Sequence, residues 1–144
     1  MRKWIGIIGA LALVGIVVAT LVYFFVINKS HPDYENKKPE YFMTAEALFA
    51  SFREDAAKAS EFYNGKIIQV SGQLSSVEDT DGQTVLVFAL DQGMFGDEGI
   101  RVSMLEAQSA QAVKLTPGQD ITLKGFCTGY NDTDVVLNHG SIVQ

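Results

Sequence analysis

The stretch KGFCTGYNDTDVVLNHGSIV, Lys124 to Val143, gathers side chains of the kind active sites are made from. It holds Cys127, the only cysteine, and His139, one of two histidines, with Tyr130, Asp132 and Asp134 between them. A cysteine nucleophile works as the thiolate, which needs partial exposure and a nearby cation, and a histidine base needs a third group to orient it. The pattern meets neither condition. Ile121, Leu123, Gly125 and Cys127 alternate with Thr122, Lys124, Phe126 and Thr128, so Cys127 falls on the apolar phase and reads as a small buried hydrophobe. His139 stands beside a glycine with no second ligand at a metal-binding spacing. The signatures H-E-x-x-H, C-x-x-C and G-x-S-x-G do not occur in the sequence. The expectation is a protein that does no chemistry and needs no cofactor.

Two other groupings point to binding. Glu78, Asp79 and Asp81 share one turn, and Asp132 and Asp134 share another. Brought to one end of a domain, these acids would hold a divalent cation through oxygen ligands, or a basic protein partner. The competing reading is ordinary hairpin chemistry, since Asp-Gly and Asn-Asp favour turns and the spacing fits no EF-hand loop. Lys66, Arg101 and Lys124, with Phe126 and Tyr130, form a candidate binding face of the kind that interleaves cations with stacking rings to hold single strands. Charge argues against it. The chain has 11 basic and 17 acidic side chains, and without Arg2 and Lys3 the balance is 9 against 17, or −8. A polyanion needs a local positive surface, and the basic residues are scattered, so nucleic acid stays open as a partner but is disfavoured.

The elements that would position these residues begin with an anchor. After a basic flank, residues 1–3, the run from Trp4 to Ile27 reads WIGIIGALALVGIVVATLVYFFVI, without charge. At ~1.5 Å per residue, about 20 such residues cross a hydrocarbon core of ~30 Å. A cleaved signal has a shorter apolar centre and small residues at its exit, whereas Tyr23, Phe24 and Phe25 stand here. No cysteine follows the run to carry lipid, so the helix is expected to remain as a single transmembrane anchor. Arg2 and Lys3 precede it and Lys29, Lys37 and Lys38 follow, which barely sets orientation. An apolar helix at the start of a chain behaves as an uncleaved export signal, so the N-terminus is expected in the cytoplasm and the domain outside it. One cysteine cannot form an internal disulfide, and the redox compartment stays open.

Residues 28–43, NKSHPDYENKKPEYFM, are polar, carry two of three prolines and show no period, so they read as a linker. The domain then spans residues 44–144. Thr44 is the expected N-cap, and Leu48, Phe49, Phe52, Ala56, Ala59 and Tyr63 make one apolar helical stripe that Asn64-Gly65 ends. Alternation then predicts a strand through Ile68, Val70, Gly72 and Leu74, with Gly72 as a place to bend. QTVLVFAL is a second strand, DQGMFGDEG a glycine-rich loop, IRVSM a third strand, and LEAQSAQAVKL a short helix. DITLKGFCTG and DVVLNHGSIV are strands four and five. The succession is mainly β and matches a five-stranded Greek-key barrel, the OB-fold, with an amphipathic helix before it and a short helix between strands three and four.

The segments TAEALFASF, YNGKIIQVSGQL, LTPGQDITLKGFCTGY and DVVLNHGSIV resemble a family of bacterial OB-fold proteins named for likeness to tRNA-anticodon-binding domains. The family's Y-x-G-K-x-x-x-V-x-G pattern is met at Tyr63, Gly65, Lys66, Val70 and Gly72, and its K-G-x-C-T-G-Y run at Lys124–Tyr130. The linker and anchor are similar to the membrane-tethered members. The resemblance implies the fold and brings no catalytic residues. Relatives often carry further cysteines in strands three and five, where Met104 and Gly140 stand here. Haem chaperones of cytochrome c maturation place a similar barrel on one anchor, but hold haem through a histidine beyond the barrel. With the sequence ending at Gln144, that is a remote alternative. The expected function is a membrane-anchored OB-fold binding module for nucleic acid or another oligomeric ligand. The alternative is an extracytoplasmic module that takes a divalent cation or a basic partner on its acidic loops.

Overall fold

The structure, a computed structural model, describes residues 1–27 and 33–143; residues 28–32 of the expected linker 28–43, Lys29 among them, and Gln144 lie outside them. The chain forms two compact units, Met1–Asp33 and Tyr34–Gln144. In the first, α1 (Arg2–Val22) passes into one wider π turn, Tyr23–Ile27. Ile5–Phe25, 21 residues of mean hydropathy 2.8, is long and apolar enough to cross a membrane. Thr20 returns its hydroxyl to the Ile16 carbonyl at 2.7 Å, so its one polar group is satisfied inside the helix.

The second unit begins earlier than the sequence reading placed the domain. Residues 34–43, read as part of the linker, lie in it, and Tyr41–Thr44 forms strand β1, which pairs in parallel with β2 (Ile67–Gln73). The single expected helix is two, α2 (Ala45–Glu54) and α3 (Ala56–Tyr63). Thr44 caps the first by accepting from the Ala47 amide at 3.2 Å. Asp55 breaks the stripe because its own side chain accepts from the Lys58 amide at 3.0 Å, which starts a new helix where the old one would have continued. Gly65, at φ 77°, supplies the left-handed exit.

The sheet has seven strands in the order β1-β2-β6-β7-β5-β4-β3, with β3 (Ser76–Thr80), β4 (Gln83–Gly93), β5 (Gly96–Met104), β6 (Asp120–Tyr130) and β7 (Asp134–Ile142). This corrects the expected five-stranded closed barrel: as a hydrogen-bonded ladder the sheet is open, with β1 and β3 at its edges. Two sequence features explain the count. The linker donated β1, and the long first strand divides at Leu74-Ser75 into β2, paired with β6, and β3, paired with β4. The expected glycine-rich loop is also ladder, since β4 and β5 continue to a tight turn at Met94-Phe95. The short helix is α4 (Glu106–Ala112).

One core underlies the sheet. Leu48 and Phe52 from α2 meet Ile68, Val70, Leu86, Phe88, Ile100, Val102, Leu123 and Leu137 from the strands, all buried. Gly72 is where the helix comes close, because a Cβ there would lie 3.0 Å from Cβ of Ala45. Met104 and Gly140 are register partners, and a Cβ at Gly140 would lie 2.7 Å from Sδ of Met104. The methionine fills the space between the two strands at that level.

Candidate functional site

The two turns carrying the candidate acids are built as the residue types dictate. Asp81 and Gly82, at φ 52° and 78°, make the two-residue turn of a tight hairpin, and Asp79 accepts from the Gly82 amide at 3.0 Å. In the other turn Asn131 accepts from the Asp134 amide at 2.7 Å, and Asp132 takes φ 73°. Only two of the five acids converge, and they converge on a cation. Arg101 of β5 places Nη1 2.7 Å from Glu78 and Nε 3.3 Å from Asp134. Asp134 is buried and also accepts from the Gly99 amide at 3.1 Å. The hydrogen bond to Glu78 is the largest influence raising the Arg101 pKa above its ordinary value; desolvation works against it, and the nearby Asp134 adds to it. Asp79, Asp81 and Asp132 stay exposed on their turns. Among the described residues, no group of three or more acids, histidines or cysteines is placed to hold a metal ion.

Beside this triad lies a second one that the sequence reading missed. Arg53, in the last turn of α2, reaches Glu98 at 2.7 Å and Asp91 at 3.2 Å. Its signal was weak, a lone arginine closing an amphipathic helix. A shallow cleft of about 220 Å³ runs past Phe95, Asp97, Glu98, Arg101, Thr133 and Asp134. Phe95 and Met94, at the hairpin tip, are 95% and 92% exposed. Tyr130 is half-buried and borders an open recess beside Asn64, Thr128 and Asn131. Its ring packs 5.8 Å from Phe52 and its hydroxyl donates to the Asp132 carbonyl at 2.9 Å. Burial is the first cause of its raised pKa.

Lys66, Lys124 and Phe126 lie together elsewhere, on the side of β2, β6 and β7 away from the core. Ile67 pairs with Phe126 and Gln69 with Lys124, so these residues share one run of the sheet. A bulge in β7 puts His139 at φ 54° and brings its ring beside Phe126, 6.5 Å between centroids. Over them lies the chain's own segment 34–40. The Tyr34 ring stacks flat on His139 at 4.1 Å and 3°, and meets Phe126 edge-on at 5.6 Å. The Lys124 ammonium donates to the carbonyl of Glu35 and, at 2.8 Å, to that of Lys37. Gln108 donates to the Glu35 carboxylate at 2.6 Å, and Lys66 pairs with Glu40 at 3.0 Å. The space enclosed by Tyr34, Ile67, Lys124, Phe126 and His139 has no room for a water. Tyr34 was the other residue missed, hidden in a segment without period.

Cys127 lies on the core side of β6, fully buried, its thiol 3.7 Å from the Asn64 carboxamide oxygen. Burial pushes the thiol up to about 11. His139, by contrast, is exposed on the outer side.

The tRNA_anti-like family model matches residues 1–141. The chain belongs to the tRNA_anti-like family. No curated protein matches it in sequence. Among solved structures, a Klebsiella pneumoniae lipoprotein provisionally named as nucleic acid-binding overlays at a TM-score of 0.56 with 20% identity, covering 71% of this chain and 91% of its own. That overlay shows a shared fold. The S. pombe Stn1-Ten1 complex overlaps at 0.39 with 17% identity, over 54% of this chain and 58% of the other. The asparaginyl-tRNA synthetase of Pyrococcus horikoshii, solved with asparaginyl-adenylate, overlaps at 0.39 with 14% identity, over 58% and 20%. These two overlaps are too loose to add to the first. In this tRNA_anti-like chain, the two features that bear on binding are Arg101 between its two carboxylates and the ring-and-lysine face under residues 34–40.

Proposed function

We propose that the chain is a non-catalytic binding module on a single membrane anchor, and that its ligand is single-stranded nucleic acid or an oligomer of the same chemistry, flat rings on an anionic chain. The module is an OB barrel whose five strands are β2 and β3 acting as one bent strand, then β4, β5, β6 and β7, with β1 added beside β2. Two bonds at the division support this: the Leu74 amide donates to the Gln119 carbonyl and the Ser75 amide to the Val87 carbonyl, each at 2.8 Å. Residues 4–27 hold the module to the membrane, with the N-terminus cytoplasmic and the domain outside; a reporter fused after Gln144 that is active only in the cytoplasm would overturn that orientation.

The observation that carries the ligand class is the stack of Tyr34 on His139 and Phe126 beside the Lys124 ammonium. A ring in that place and an acceptor on that lysine are what each nucleotide offers. The cleft beside Arg101 serves a polyanion poorly, because its guanidinium already faces two carboxylates. A thiol pushed to about 11 stays protonated at neutral pH and makes a weak nucleophile, which supports the non-catalytic reading.

The test is fluorescence anisotropy of a labelled single-stranded oligonucleotide with the full chain in a neutral detergent. Binding is expected to weaken with salt, at a log–log slope of about −1.5 for two lysine contacts. No binding at low salt removes the reading. A second reading follows from the cleft, where Asp97, Glu98 and exposed Phe95 suit a basic protein segment. A lysine-rich peptide whose affinity is unchanged by Glu98→Gln would dismiss it.

A further inference from the structure

Residues 34–40 sit on the proposed ligand face and satisfy it with the same kinds of group a ligand would bring. Tyr34 supplies a flat ring at 4.1 Å from His139, two peptide carbonyls supply acceptors to Lys124, and the Glu40 carboxylate supplies an anion to Lys66 at 3.0 Å. We infer that this segment is a displaceable strap, an internal occupant of the face that a ligand must remove in order to bind. The inference rests on the proposed ligand face and adds its regulation.

Three features argue for exchange rather than permanent packing. The strap contributes no hydrophobic residue to the buried core cluster before Tyr41, so its removal exposes little core. Its hold on Lys124 is through backbone carbonyls, which any residue could provide and water can replace. Its ion pair with Lys66 joins side chains 43% and 51% exposed, a class that contributes little. The face beneath is different in kind. His139 is held at φ 54° by the bulge in β7 and Phe126 lies in the ladder, so the rings remain in place when the strap leaves. Strap and ligand therefore compete for one stack, and each weakens the other by the same factor. Freed, residues 34–40 add about 25 Å of contour to the connection between the two units. Ligand binding would lengthen the tether.

The experiment uses the full chain in a neutral detergent with labelled oligodeoxythymidine of about 12 nucleotides as probe. Tyr34→Ala, and independently Glu40→Lys, release the strap; Phe126→Ala removes the face. Limited trypsin cleavage after Lys37, located by mass spectrometry, reads the strap without any ligand. Both release variants are expected to be cleaved faster than the parent and to bind the probe on the order of fivefold tighter, and probe is expected to speed cleavage of the parent. Phe126→Ala is expected to lose binding. Equal probe affinity in parent and release variants, with Phe126→Ala still deficient, keeps the face and overturns the strap. Absence of binding in the parent and in both release variants overturns the face and the strap with it. Slow alkylation of buried Cys127 in every variant shows that each is folded.

Discussion

Arg101 and Lys124 stand on β5 and β6, with β7 between them, and both cations are engaged. Arg101 is held by side-chain carboxylates from two other strands, one of them, Asp134, buried and further fixed by the Gly99 amide. Lys124 is held by two backbone carbonyls of a segment that also touches the domain through a ring stack, exposed polar pairs and, at its end, the Glu40 amide's bond to the Ile67 carbonyl at 2.8 Å. The first arrangement ties strands together and leaves its charge spent. The second can be traded, because the groups that satisfy the lysine belong to a strap and not to the sheet. Two cations that look alike in the sequence thus differ in what they can do: one is a structural clasp, the other an exchangeable contact.

The largest test of this contrast removes the clasp. Arg101→Met leaves Asp134 buried without its cation and Glu78 without a partner. An uncompensated, mostly buried carboxylate costs about 2 kcal/mol after allowing for partial exposure of the pair, or a fall in Tm on the order of 8 °C for a domain of this size. Trypsin cleavage after Lys37 should not change at low temperature. A fall in Tm under about 2 °C would show the clasp to be ordinary surface charge.

A second test reads the sheet beneath the strap. Cys127 follows Phe126 in β6 but points into the core, and burial raises its thiol from 9.0 to about 11. The unfolded chain loses this proton first as pH rises, so the contribution is whole below pH 9 and is lost between 9 and 11. The loss is on the order of 2 kcal/mol. Denaturant titration of the parent and Cys127→Ala at pH 8 and pH 10.5 should show a steeper decline for the parent. Equal declines would mean that the thiol is reachable by water in the folded state.

Much of this architecture could be read from alternation alone. Ile68, Val70, Leu123 and Cys127 take the core side that period two assigns them, and Thr44 begins and Gly65 ends a helical stretch where their chemistry says. What was not legible has physical causes. Asp55 interrupts an apolar stripe by a local hydrogen bond that periodicity does not register. The first strand divides at Leu74-Ser75 because its two halves find different partners, a fact of the chain's path in three dimensions and not of composition. The candidate site failed and succeeded for the same reason. Acids counted as a cluster were gathered by an arginine counted elsewhere, since a sequence shows charges but not which will pair across strands. Tyr34 was passed over because a segment with prolines and no period gives no sign that it will lie down on a sheet.

Weaker effects test the strap directly. Lys124→Met removes the donor to Glu35 and Lys37 while its stem can still cover the sheet. Global stability should change by less than about 1 kcal/mol, because the carbonyls turn to water. Cleavage after Lys37 should nevertheless quicken several-fold. If Tm falls as far as in Arg101→Met, the strap belongs to the core and the contrast between the two cations disappears.

The smallest effect separates the two regions by salt. Lys66–Glu40 joins side chains 43% and 51% exposed, whereas Arg101–Asp134 joins side chains 37% and 11% exposed. Exposed charges are screened within ~8–10 Å at ordinary ionic strength, and such pairs are worth roughly 0.5 kcal/mol or less. Glu40→Gln should therefore quicken cleavage after Lys37 slightly at low salt and not at all in about 1 M salt, where the parent already behaves like the variant. The Arg101→Met deficit should persist in the same buffer, since a buried carboxylate is poorly screened. A salt-insensitive Glu40→Gln effect would place that end of the strap in a drier setting than its exposure indicates, and would make it part of the clasp.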